Sequence, residues 1–60
     1  MDKIYELIEK TPMNDMDIHF WIVIRSMAQE IREKATDVAT LSKATQMVAK
    51  CDHIIANLDY

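Results

Sequence analysis

Few of the sixty residues have side chains whose type and spacing could support chemistry. Cys51 and His53 come nearest to a nucleophile with a base. On a helix, however, positions two apart lie about 200° around the axis and point to different faces. Cys51 falls on an apolar stripe and reads as a small buried hydrophobe. Asp15 and His19, four apart, could share an ion, and Glu30, Glu33 and Asp37 share a helical side. Carboxylate-bundle metal sites add a Glu-x-x-His pair, and neither histidine has a Glu three residues before it. Asp15 with His19 reads as an i,i+4 surface pair, and the acids near 30 as partners of Arg32 and Lys34. No catalytic residue, metal ligand or cofactor is expected.

The basic residues have a more suggestive spacing. Arg25 and Arg32 are seven apart, as are Lys43 and Lys50. If the chain doubles back near 37–38, the two ladders stand at matching heights. On one shared side they would form a pair of cationic clamps, with Gln46, His53 and Asn57 supplying hydrogen bonds. Duplicated across a two-fold axis beside Trp21 or Tyr5, such clamps suit a small aromatic anion such as a nucleotide, with a ring stacked on the base and cations on the phosphate. The candidate ligand-binding set is therefore Tyr5, His19, Trp21, Arg25, Arg32, Lys43, Gln46, Lys50 and His53. The competing reading is a set of solvated faces with local salt bridges.

These side chains must be positioned by helices, because the apolar residues recur at helical spacing. Asp2 is suited to cap a first short helix over about 3–10, with Ile4, Leu7 and Ile8 on one side. Thr11-Pro12 ends it, since proline disfavours helical geometry in the residue before it. Pro12, Asn14, Asp15 and Asp17 suit the first turn of a second helix, expected over about 13–35. Its apolar face is read as Phe20, Ile24, Met27, Ile31, Ala35 and Val38. The stretch 36–42 is rich in caps and poor in helix formers, so a turn belongs there. A third helix over 38–58 carries Leu41, Ala44, Val48, Cys51, Ile55 and Leu58 at a and d positions of a heptad, widened by Met47 and Ile54. One bent helix of some 45 residues is the alternative to a hairpin, because no Gly is present to close the second helix.

The run Ile18-His19-Phe20-Trp21-Ile22-Val23-Ile24 is apolar on almost every side. A helix packed through one face leaves the rest in need of cover. Ile18, Phe20, Trp21, Ile22 and Val23 are therefore expected to meet another copy of the chain. The same run has strong β propensity. As a strand before two helices it would make a ribbon-helix-helix-like DNA-binding regulator, whose paired strands enter the major groove. The outward set, His19, Trp21, Val23 and Arg25, offers one dependable base-reading cation.

Composition limits the remaining choices. A 7.0 kDa chain with one cysteine and no Gly-rich phosphate loop is one small domain, marginal as a monomer unless a partner or a second copy supports it. The net charge is −3, carried by residues 1–17, while 18–60 balance. That is the wrong sign for a phosphate-backbone binder, so nucleic acid is disfavoured. The start lacks the pattern of a signal peptide, and the seven-residue apolar run is far short of the roughly 20 residues that span a bilayer. A cytoplasmic protein with no membrane role is expected.

Together these readings predict an all-α helical hairpin with a short extra N-terminal helix, residues 1–60 forming one domain, assembled as a symmetric homo-oligomer. The expected function is non-enzymatic: inhibiting or sequestering a target by occupying it, as small proteins of phages and mobile elements often do. The target is either a protein or a small anionic ligand held between subunits.

Overall fold

The computed structural model describes the backbone of residues 2–58 and the side chains of 3–58. Within them the fold is all-α: α1 (Asp2–Lys10), α2 (Ile18–Lys34) and α3 (Val38–Leu58). The second and third helices form the hairpin and the first packs against both. Asp2 opens α1 itself; its expected capping side chain lies outside the described residues.

The second helix begins five residues later than its expected start at 13. Pro12 and Asp15 close a turn instead, the Asp15 N–H donating to the Pro12 carbonyl at 3.0 Å. Asp17 wins the competition among the capping residues. Its backbone is extended (φ −77°, ψ 174°) and its carboxylate accepts the N–H of Phe20 at 3.1 Å. The 18–24 run is therefore helical, and the ribbon required by the DNA-reading alternative does not form.

The hairpin turn manages without glycine. Ala35 leaves the helix in extended geometry (φ −64°, ψ 135°), and the Asp37 carboxylate accepts the Thr40 N–H at 2.9 Å to start α3. Among the described residues none adopts positive φ. The alternative of one long bent helix is thus excluded, and α3 keeps its expected bounds.

Ile8, Trp21, Ile24, Ala28, Ala44, Met47, Val48, Cys51 and Ile54 form the core. Ala28 and Ala44 are fully buried, small side chains that let α2 and α3 approach closely. Both helices are rotated from the expected faces. Trp21, Ile24 and Ala28 line the inside of α2, while Met27 is 44% exposed; on α3 the centre moves toward Met47 and Ile54, and Leu41 is left outside. Val38, assigned to the apolar face of the second helix, instead opens α3 and is the most exposed large apolar residue among those described, at 81%. Burying the indole removes on the order of 200 Å² from water, more than Phe20 or Met27 would contribute, and this sets the rotation.

The direction of α1 follows from its contacts. Tyr5 meets Lys43 and Glu9 meets Lys50, so α1 runs parallel to α3 and antiparallel to α2. The accessible surface, 4220 Å², is close to the roughly 4000 Å² that size scaling gives for a closed monomer of this mass.

Candidate functional site

The basic ladders stand near matching heights but on opposite sides of α3. Lys43 and Lys50 face α1: the Lys43 ammonium lies 4.3 Å from the centre of the Tyr5 ring, and Lys50 bonds Glu9 at 3.0 Å. Arg25 reaches α3 from the other flank, bonding Asp52 at 2.8 Å. Positions 50 and 52 are about 200° apart around a helix, so the third helix stands between the two ladders. Arg32, one heptad after Arg25, lies half-buried on the Arg25 flank.

Each of the three contacting cations serves the fold. Lys43 and Lys50 hold the first helix; Arg25 ties α2 to α3, and its Nε is buried without a hydrogen-bond partner. The paired clamp expected from the spacing is thus divided between two faces.

The expected stacking group is removed as well. Trp21 is fully buried in the chain's own core, donating its indole N–H to the Met13 carbonyl at 3.3 Å and meeting Phe20 edge-on at 5.1 Å. In this position the ring has no face open to a stacked base or to the surface of another copy. Tyr5 is half-buried under Lys43, and His19 is exposed in the first turn of α2. Gln46 and His53 lie with Lys43 and Lys50 along one polar flank of α3, where the Asn57 amide donates to the His53 carbonyl at 2.7 Å.

The residues expected to meet another copy are separated too. With Trp21 inside, Ile18 and Ile22 fall on the Arg25 flank of α2, whereas Phe20 and Val23 fall on the flank beside α1. Met27 joins the second group, and Leu7 adds to it from α1. Helical spacing over an all-round apolar run gave no sign that the outer residues would form two separate groups.

Electrostatic perturbation is local and structural. Hydrogen bonding to Lys34 at 2.8 Å holds the Glu30 carboxyl below its ordinary range and raises Lys34. The Thr40 backbone N–H lowers Asp37 in the same way. Burial pushes the Cys51 thiol up, away from the thiolate that nucleophilic chemistry requires. Among the described residues no three His, Cys, Asp or Glu side chains converge as a metal site, and no helix is long and apolar enough to cross a membrane.

An open groove runs between the start of α1 and the hairpin turn. Ile4, Met27, Ile31 and Ala35 line it, with the Glu30–Lys34 pair and Asp37 at its rim. Its lining is mainly apolar, with charged and hydroxyl side chains among it. No family model, curated protein or solved structure matches this chain.

Proposed function

We propose that this chain is a non-enzymatic binding protein that assembles with copies of itself and acts by occupying a protein target. The observation that carries this reading is the unused apolar surface of α2. The core is complete, yet Ile22, Val23 and Met27 remain outside it, 38%, 52% and 44% exposed on two flanks of one helix. Single exposed apolar residues are ordinary, whereas grouped ones favour an interaction surface. Two groups on opposite flanks suit a protein that holds a copy of itself on one side and its target on the other.

A protein target fits better than a small anion because the cations are divided and engaged internally. The test is native mass spectrometry of the protein isolated from cells that express it, alongside Ile22→Glu. The reading expects an integral multiple of the chain mass plus a second protein, and expects Ile22→Glu to lose that protein while keeping the multiple. A small-molecule mass released on unfolding would replace the protein target with a ligand. A bare monomer would overturn the reading.

A further inference from the structure

We propose that residues 11–17 are a hinge through which two copies of this chain exchange their first helices, each α1 taking on the other's hairpin the seat it holds here on its own. This rests on the self-assembly part of the function proposed above, and it names an interface whose occupant is already seated in the structure.

The seat fits α1 and no other element of the chain. Ile8 joins the core of the hairpin, Lys43 lies over the Tyr5 ring at 4.3 Å, and Lys50 bonds Glu9 at 3.0 Å. These contacts belong to the two surfaces and not to the connection between them, so the α1 of a second copy makes the same ones. Little holds the helix to its own hairpin. It supplies one of the nine core side chains, its ion pair is half-exposed, and nine residues are too few for a helix that is stable away from a surface. It is therefore the element that detaches first.

The connection contains two competing helix starts. Pro12, Asn14 and Asp15 suit a helix beginning near 13, whereas in the closed chain 12–15 form a turn and Asp17 caps α2 at 18. Residues 12–17 are exposed, and the hydrogen bond from the Trp21 indole to the Met13 carbonyl ties this stretch to the core. Winding 13–17 onto α2 lengthens that helix by about 7.5 Å. The same change shortens the connection from the seven residues 11–17 to Thr11 and Pro12 and carries α1 away from its own seat.

In an exchanged dimer the two hinges pass each other at the two-fold axis, where the dimer gains contacts that the monomer lacks. Met13 and Met16 lie in this segment with their side chains exposed, and an unbranched, adaptable side chain suits a contact with its own copy. Asp15 and Asp17 also approach their counterparts there, so added salt favours the dimer. The short tether keeps α1 at about millimolar effective concentration over its own seat, which sets the scale at which exchange competes.

Sedimentation equilibrium of the full chain from micromolar to millimolar concentration, alone and in mixtures, tests the exchange. Wild type is expected to show a monomer–dimer equilibrium. Glu9→Lys and Lys50→Glu, each alone, keep its dissociation constant, because the like-charged contact is then present in monomer and dimer alike. Their equimolar mixture dimerises at least about fivefold more tightly, since exchange restores two opposite-charge contacts at once. Circular dichroism confirms that both variants are folded, as the half-exposed pair predicts. A mixture no tighter than its components would overturn the exchange and leave self-assembly through another surface standing. A wild-type monomer at every concentration would overturn the exchange and self-assembly together.

Discussion

Trp21 donates its indole N–H to the carbonyl of Met13, 3.3 Å away, and so ties the connection between α1 and α2 to the side chain at the centre of the core. The segment held this way is the one expected to begin the second helix. Its backbone forms a turn that carries a hydrogen-bond acceptor over the indole, satisfying the only polar atom of a wholly buried ring.

Trp21→Ala and Trp21→Phe separate the two contributions of that side chain. The alanine leaves a large cavity and costs about 3–5 kcal/mol, comparable with the whole stability of a domain this size, so the variant is unfolded at room temperature. Phenylalanine keeps most of the ring and loses the bond to Met13, and it folds with a lower urea midpoint. Circular dichroism against urea reads both. Native Trp fluorescence is blue-shifted and shielded from iodide, and red-shifted emission in the folded state would contradict the burial.

Asp17 and Asp37 cap the two helices of the hairpin. Asp37 has its carboxyl lowered by the Thr40 N–H, so its folded value lies below its unfolded one. Its contribution is present above the ordinary carboxylate range and is lost as pH falls through the lowered value. Asp37→Asn keeps a neutral cap and flattens this acid limb in thermal melts taken from neutral to strongly acidic pH. Asp17→Ala removes the bond to Phe20 and costs about 1 kcal/mol at neutral pH. An unchanged acid limb in Asp37→Asn would show that the cap does not titrate as the geometry requires.

The first helix is the weakest part of the fold. It is held by Ile8 in the core, by the half-exposed Glu9–Lys50 pair and by Lys43 over Tyr5. An ion pair so exposed contributes at most about 1 kcal/mol. Its amides are expected to exchange with deuterium before those at the centres of α2 and α3. Ile8→Ala, costing about 2–5 kcal/mol, releases α1 while the hairpin keeps part of its protection. Equal exchange across all three helices would indicate one cooperative unit.

What the sequence made legible follows from which signals compete. The bounds of α3 were readable because Asp37 caps it and an uninterrupted apolar stripe runs to Leu58. The beginning of α2 was not, since Pro12, Asn14, Asp15 and Asp17 all suit a helix start and only packing over Trp21 chooses among them. The inner face of α2 was equally open: a run apolar on every side fits several rotations, and the largest ring decided. At the candidate site, the heights of the basic ladders could be read from spacing. Their sides could not, because these depend on α1 lying along the Lys43 flank of α3 while Arg25 reaches Asp52 on the other.

Cys51 gives a direct test of how tightly the hairpin is closed. Its thiol is fully buried between α2 and α3, and burial raises its pKa, so both access and thiolate fraction are low in the folded state. Alkylation by iodoacetamide at neutral pH should therefore require opening of the core. The labelling rate rises with urea in parallel with the unfolded fraction, and rises further in Ile8→Ala if release of α1 also loosens the Cys51 environment. Labelling of the native chain at the rate of a free thiol, with helical content intact, would mean that α2 and α3 separate readily and that the buried core described here is open in solution.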